Sequence, residues 1–368
     1  MYYLCSYIFQ SMSEKIITGI QQVGIGVRNL REAWRWYRHH FGMDIRVFEE
    51  EAYAEYMLPY TGGEPRKRHA ALAVNMQGGG GFEIWQYKCR EPEPAGFQLL
   101  LGDVGIFAAK IKSRDIARTH QDFVSNGVEV LGDITSNPSG IRHFFVRDPF
   151  NNIFEVVESG SWFSKDQRLT GGTYGAIIGV TQIDRALVLY QRILGYDKVE
   201  YDLTGSFDDL ASLPGQGSRI RRVLLSHSKR RMGGFSRFFG ESQIELIQVL
   251  DRKPEYIFKN RLWGDLGFIH LCFDISGMMA LKKECASHGF KFTVDSMQHL
   301  DDSFDMGEAA GHFSYIEDPD GTLIEFVETH KLPLLKKLGV YINMRKRDPR
   351  KHLPDWILKG LRFSRIRD

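Results

Sequence analysis

The chain repeats one short pattern four times, and this repeat limits its possible folds more than any other feature. Each copy opens with a strand of small and β-branched residues, continues into an amphipathic helix that ends near a glycine, and closes with three strands. Repetition of this kind predicts a fold assembled from equivalent supersecondary units. We therefore predict an α+β protein of four βαβββ modules that form two curved mixed sheets.

Local signals place each module on the chain. The opening strands are predicted at 20–27, 103–111, 174–180 and 268–275, and the closing strands at 82–87, 153–158, 244–249 and 323–328. The helices are predicted at Leu30–Phe41, Ile116–Ser125, Asp184–Leu194 and Met278–Ser287. A glycine follows each helix and supplies a left-handed cap.

A Gly- and Ser-containing stretch at 159–172 separates the first two modules from the last two. We therefore predict five segments: an N-terminal extension (1–15), a first domain (16–158), a linker (159–172), a second domain (173–330) and a basic tail (331–368).

The composition is that of an ordinary folded protein, with 43% hydrophobic and 26% charged residues. Four cysteines without paired spacing indicate a reducing compartment, so a cytoplasmic location is predicted. No apolar run is long enough for a membrane helix. The tail carries twelve Lys or Arg residues against three Asp, and its apolar residues around Trp356–Phe363 have helical spacing. We expect a helix that packs on the acidic body with its charges in solvent.

The repeat period and strand pattern over roughly residues 16–330 resemble the vicinal-oxygen-chelate superfamily, the glyoxalase and extradiol-dioxygenase group. Members of that family join βαβββ modules in pairs around a metal ion, with ligands on the first and last strand of each module. The resemblance therefore implies eight positions: Gln22 and Glu83, Asp103 and Glu155, Gly175 and Glu245, His270 and Glu325. Seven of these are polar within apolar strands, a costly arrangement that indicates a shared polar cavity.

The pairing of the modules decides which of these residues meet. If neighbouring modules pair, the two sites are Gln22/Glu83/Asp103/Glu155 and Gly175/Glu245/His270/Glu325. If module one pairs with four and two with three, one site collects Gln22, Glu83, His270 and Glu325. We prefer the second arrangement because that set matches the ligands of Gln-containing glyoxalase I enzymes. It leaves Asp103, Glu155 and Glu245 as a degenerate second site.

Two glutamates, one histidine and one glutamine suit a divalent Zn, Ni, Mn, Co or Fe(II) ion with positions open for substrate. The resemblance implies a lyase or isomerase that transfers a proton next to a carbonyl, with Glu325 as the base and Glu83 as a ligand or partner base. The implied substrates are hemithioacetals of an α-ketoaldehyde or acyl thioesters.

Two other functions remain open. An extradiol or 4-hydroxyphenylpyruvate-type dioxygenase needs two His and one carboxylate on Fe(II). His270 and Glu325 fit that pattern, Gly175 does not, and His312 could substitute only if it faced the same cavity. A non-catalytic protein that binds a small molecule in the cup is the third candidate.

The partners are expected to be limited to a small molecule. The segment Arg219–Arg237 holds seven basic residues and no acidic one, and it is either a lid that grips an anionic substrate or a solvated loop. Gly78–Gly81 lacks the Lys and Ser/Thr of a phosphate loop. We expect no nucleic acid and no membrane partner, and a monomer or a homodimer.

Overall fold

The computed structural model describes residues 14–298, 304–305, 310–335 and 340–366. Almost all of the predicted extension 1–15 lies outside the described residues. Over the described part, no helix is long and apolar enough to cross a membrane. The strands form two curved mixed sheets, which confirms the predicted fold class.

The first sheet joins module one to module four. Module one contributes β1 (Ile16–Gly26), β2 (Ile45–Tyr53), β3 (Lys67–Val74) and β4 (Gly81–Tyr87). Module four contributes β13 (Gly267–Ser276), β14 (Val294–Asp295), β15 (Phe304–Asp305), β16 (Ala310–Glu317) and β17 (Leu323–Leu335), and β18 (Val340–Asn343) follows. The order is β14-β16-β17-β13-β1-β4-β3-β2, with β1 and β13 antiparallel at the centre.

The second sheet joins module two to module three. Module two contributes β5 (Gly105–Ser113), β6 (Glu129–Ser136), β7 (Arg142–Arg147) and β8 (Ile153–Glu158). Module three contributes β9 (Thr170–Gly179), β10 (Lys198–Gly205), β11 (Ile220–Ser226) and β12 (Gln243–Val249). The order β10-β11-β12-β9-β5-β8-β7-β6 again puts two opening strands side by side.

The preferred pairing of one with four and two with three is thus confirmed. Each sheet takes strands from both halves of the chain, so the sheets do not coincide with the predicted domains 16–158 and 173–330. Strand β9 also begins at Thr170, inside the predicted linker 159–172.

The helices begin and end where local signals direct them. They are α1 (Leu30–Phe41), α2 (Ile116–Ser125), α3 (Ile183–Leu187) with a π-helix at Val188–Ile193, α4 (Ser236–Phe239), α5 (Met278–Ser287) and α6 (Asp355–Lys359) with a 3-10 helix at Gly360–Ser364. Asn29 accepts hydrogen bonds from the first turn of α1, and Gly42 ends that helix at φ 66°. Within its described residues, the tail is strand up to Leu335 and at Val340–Asn343, and helical at Met344–Lys346 and from Asp355 to Ser364.

The largest core lies where the helices pack between the two sheets. Tyr37 and Phe41 of α1 contact Phe82 of β4 and Phe154 of β8, so this core spans both sheets. On β1, Val23 and Ile25 face this core while Gln22 and Gly24 face the other side of the sheet. We call the concave side of the first sheet the first cup and that of the second sheet the second cup.

Candidate metal centre and its counterpart

The centre of the first cup is a histidine on β13 that faces a glycine on β1. His270 is fully buried, and Gly24 is its partner across the antiparallel ladder. A Cβ atom at position 24 would lie 2.4 Å from Cε1 of the imidazole. Gly24 therefore leaves the space that the ring occupies.

Two glutamates reach the same point from the strands on either side. Oε2 of Glu325 on β17 lies 3.0 Å from Nε2 of His270, and Oε2 of Glu83 on β4 lies 3.2 Å from it. Gln22 donates from Nε2 to both carboxylates, at 3.1 Å to Glu83 and 3.3 Å to Glu325. The predicted four residues are thus brought together by the pairing of modules one and four.

This set fits a divalent cation. The ligand atoms of Glu83, His270 and Glu325 all lie within 4.8 Å of one another. Among the described residues, Gln22 Oε1 is buried without a hydrogen-bond partner. Rotation of the Gln22 amide by 180° would turn that oxygen towards the carboxylates. An unpartnered buried acceptor is costly, and a cation would satisfy it.

Without a bound cation, the charges of neighbouring side chains shift the pKa values of His270 and Glu83. Burial of the imidazole opposes protonation, but Glu325 and Glu83 outweigh it and raise the pKa of His270 to about 9. Burial alone would raise the pKa of Glu83, but the hydrogen bond and charge of His270 lower it. A proton is therefore held among these three side chains, and binding of a metal would release it.

The carboxylates form the floor of an apolar cavity of about 230 Å³. Glu83, Glu325 and Gln22 line it, and Arg68 also lines it but pairs with Glu50 at 2.6 Å. Most of the wall is apolar: Val47, Phe48, Met57, Leu72, Val74, Phe235, Phe238, Phe239, Trp263, Phe313, Tyr315, Val327 and Leu361. A ligand here would place polar atoms on the floor and an apolar body against the wall.

Module three and the tail also contribute to this wall, which the sequence did not predict. Phe235, Phe238 and Phe239 belong to module three, and Leu361 belongs to the tail. Their approach is a result of tertiary packing, although the three phenylalanines within five residues are an apolar signal in an otherwise basic segment.

The segment Arg219–Arg237 therefore reaches the first cup through phenylalanines, and four of its arginines have other contacts. Arg221 pairs with Asp184 and Asp202, and Arg222 is buried in the second cup. Arg231 lies over the ring of Tyr196, and Arg237 pairs with Asp355. The lining of the cavity includes none of the arginines from this segment, so the contacts of this cavity do not support the basic-lid alternative.

The second cup places a lysine between the two equivalent glutamates. Lys110 of β5 pairs directly with Glu155 in the parallel ladder, as Gly24 pairs with Glu83. Its ammonium bonds Glu155 and lies 2.6 Å from Oε2 of Glu245. The antiparallel partner of Lys110 is Gly175, the counterpart of His270, so the side chain comes from the opposite strand.

A complete ion network surrounds that lysine. Arg222 bonds Glu245 and lies 2.6 Å from Asp209. His143 lies 2.7 Å from Glu155 and 3.3 Å from Asp209. Burial opposes its protonation, yet the charge of Glu155 and the contact with Asp209 raise the pKa of His143 to about 9. Three cations face three anions in this buried cluster.

The prediction of Asp103 as a member of the second site is wrong. Asp103 precedes β5, and its carboxylate lies 2.6 Å from Arg252 and accepts hydrogen bonds from the backbone N–H groups of Leu100 and Glu255. The match between the letters DVGI and QVGI suggested a register in which Asp103 opens the strand. The register that forms puts Lys110 beside Glu155 instead. A lysine inside an apolar strand was the signal that could have found it.

His312 also lies outside the metal-type cluster. It is on β16, and its ring packs on that of His330 with centroids 4.7 Å apart. Neither histidine lines the cavity. Within the described residues, the candidate centre therefore holds one histidine and two glutamates.

Comparison with known proteins agrees with this architecture. The profile of the Glyoxalase/Bleomycin resistance protein/Dioxygenase superfamily matches residues 19–156. Glyoxalase I from Zea mays is 13% identical over 86% of this chain and 92% of its own, with a TM-score of 0.51. A protein of Bacillus subtilis proposed to be a dioxygenase is 14% identical over 86% of both chains, with a TM-score of 0.54. No curated protein matches the sequence significantly.

At such identities the solved structures establish the fold alone, whereas the profile match rests on sequence. Residues 19–156, which hold Gln22 and Glu83, thus match the glyoxalase/bleomycin resistance protein/dioxygenase superfamily by sequence, and the chain as a whole shares the fold of glyoxalase I.

Proposed function

We propose that the chain is a metal-dependent lyase or isomerase of the glyoxalase type, which transfers a proton next to a carbonyl in a small oxygenated substrate. One observation carries the proposal. The carboxylates of Glu83 and Glu325 and the amide of Gln22 line the floor of a mostly apolar cavity, both carboxylates contact Nε2 of His270, and the buried Gln22 Oε1 has no hydrogen-bond partner among the described residues. A ligand set of one nitrogen and three oxygens suits Zn, Ni, Mn, Co or Fe(II).

A divalent ion held by Gln22, Glu83, His270 and Glu325 would act as a Lewis acid on the substrate oxygens. Glu325 would move the proton, because its carboxylate lines the cavity and can reach a substrate carbon. Glu83 approaches from the opposite side of the cup and would serve as a ligand or as the second base. The apolar wall would exclude water from the proton transfer.

The donor set favours this reaction over dioxygen chemistry. A two-His, one-carboxylate site needs a second imidazole, and His312 packs on His330 instead of lining the cavity. A protein that only binds a small molecule would share the cavity but would not need the Glu325 carboxylate for turnover. Loss of turnover on its removal separates the two.

Elemental analysis of the full chain, purified without chelator and then loaded with Mn²⁺, Ni²⁺ or Zn²⁺, tests the metal. We expect about one equivalent per chain and at least a hundredfold weaker affinity in His270→Ala, since even the loss of a group that only supports a ligand costs ten- to a hundredfold. His312→Ala is the matched control and should keep its metal. A folded wild type that binds none of the three ions would contradict the proposal.

The reaction is tested with Glu325→Gln, which keeps the size of the side chain and removes the base. We expect hemithioacetal isomerisation, or exchange of the α-proton of an acyl thioester, to fall about 10²- to 10⁴-fold while bound metal changes much less. An unchanged rate would exclude Glu325 as the base.

A further inference from the structure

The outer face of the C-terminal helical segment, Asp355–Ser364, carries large apolar side chains that are not buried against the rest of the chain. Its inner face is accounted for, because Leu358 is buried and Leu361 lines the cavity. Trp356, Lys359 and Phe363 are spaced by three and four residues, which puts them together on another face. Trp356 is 68% exposed and Phe363 is 97% exposed.

A short surface helix normally has one apolar face. Here both faces carry large apolar side chains, and the packing of the inner face leaves the outer rings in water. Their burial against a partner would be favourable. The sequence-based expectation of a helix packed on the body therefore explains only half of this segment.

Positive charge accompanies the exposed rings along the tail, and Lys359 lies between them on the same segment. Arg345, Lys346 and Lys359 are exposed, and none of them makes an ion pair within the described residues. The described acids of the tail and its contacts are already engaged, Asp348 by Lys351, Asp355 by Arg237 and Asp166 by Arg362. The surface combines aromatic side chains with cations that have no counter-charge.

We propose, against the sequence-based expectation of no membrane partner, that this face docks on a lipid bilayer that carries anionic headgroups. Trp and Phe side chains bury well at the boundary between headgroups and acyl chains, while Lys and Arg contact the headgroups. The charge and the apolar rings would then act as two separate signals, which stable attachment of a peripheral protein requires.

A second copy of this chain is a poorer occupant. A twofold contact places the same patch on both partners, so the uncompensated cations of one chain would meet those of the other. Repulsion between like charges opposes that contact, whereas anionic headgroups neutralise it.

Docking through this patch would bring the apolar cavity close to the bilayer. Leu361 belongs to the wall of the apolar cavity and lies on the same segment as Trp356 and Phe363. Attachment through the outer face would set this wall next to the bilayer, where apolar ligands are concentrated. The inference does not depend on the metal or on the reaction proposed above.

Vesicle co-sedimentation of the full chain tests the proposal. The probes are phosphatidylcholine vesicles with and without about 30 mol % phosphatidylserine. We expect binding only to the anionic vesicles, a decrease with added salt, and a loss of about tenfold or more in the double variant Trp356→Ser/Phe363→Ser. Lys346→Gln/Lys359→Gln should weaken binding and reduce its salt dependence.

Met279→Ser is the matched control, because Met279 is 62% exposed but lies on α5. It should bind like the wild type, and thermal unfolding should show that all variants fold. Equal binding by the wild type and the aromatic double variant would overturn the proposal, as would no binding to anionic vesicles at low salt. A dimer that the double variant abolishes would assign the face to a second copy, and selective binding of single-stranded RNA would assign it to nucleic acid.

Discussion

The two cups share an architecture and differ in what balances their glutamates. In the first cup, Glu83 and Glu325 face an open cavity, and the buried acceptor Gln22 Oε1 beside them lacks a partner among the described residues. In the second cup, the equivalent Glu155 and Glu245 are joined by the ammonium of Lys110. The same pair of carboxylates can therefore either form a site for a metal cation or, as in the second cup, pair with a lysine ammonium that belongs to the protein core.

Charge explains why both solutions are stable. With His270 neutral, the two carboxylates of the first cup would balance one divalent ion. The second cup reaches balance through Lys110, Arg222 and protonated His143 against Glu155, Glu245 and Asp209. A buried charge is tolerated when it is paired and hydrogen-bonded. Leu210 and Leu213 pack in the second cup beside this network.

Lys110→Met should have the largest effect on the second cup. It leaves Glu155 and Glu245 facing each other without their shared cation. Removal of one partner from a buried ion pair typically costs about 3–5 kcal/mol in the free energy of unfolding. Urea unfolding checks this value. Lys259→Met is the control, since its pair with Glu255 is exposed and should change stability by less than about 1 kcal/mol. Similar losses in the two variants would show that Lys110 does not hold the cup together.

His143 should make the second cup sensitive to alkaline pH. Its pKa is raised to about 9 in the folded protein by Glu155 and Asp209, despite burial, whereas an unfolded histidine titrates near 6.5. The resulting stabilisation is complete below about pH 6.5 and is lost as the pH rises through 9, an effect of about 3 kcal/mol.

Urea unfolding of the wild type and His143→Gln between pH 6 and 9 measures this contribution. A saturating divalent ion should be present, so that His270 does not titrate over the same range. The stability of the variant should fall less steeply than that of the wild type. The exposed His352→Gln should follow the wild type, and parallel curves for wild type and His143→Gln would refute the assignment.

Local signals predicted much of this fold, whereas long-range register was less accessible. Helices α1, α2 and α5 end as expected because their caps lie in the adjacent sequence. The four residues of the first cup were found because the ligand chemistry selected one module pairing. Lys110 was missed, since the register of β5 is set by pairing with β8 and β9, and Asp103 only resembles Gln22 in its neighbours. The phenylalanines near position 238 were missed because no local pattern shows which sheet they will cover.

Gly24→Ala offers the finest test of the difference between the cups. The added methyl group would lie 2.4 Å from the His270 ring, so the ring must shift away from Glu83 and Glu325. We expect a stability loss of about 1–3 kcal/mol from overpacking and about tenfold weaker metal binding, since ligand orientation governs affinity. Gly205→Ala, which meets no atom within 4 Å, is the control for isothermal titration with Mn²⁺. If Gly24→Ala bound Mn²⁺ as well as this control, the position of His270 would not matter to the site, and Gly24 would be required only for packing.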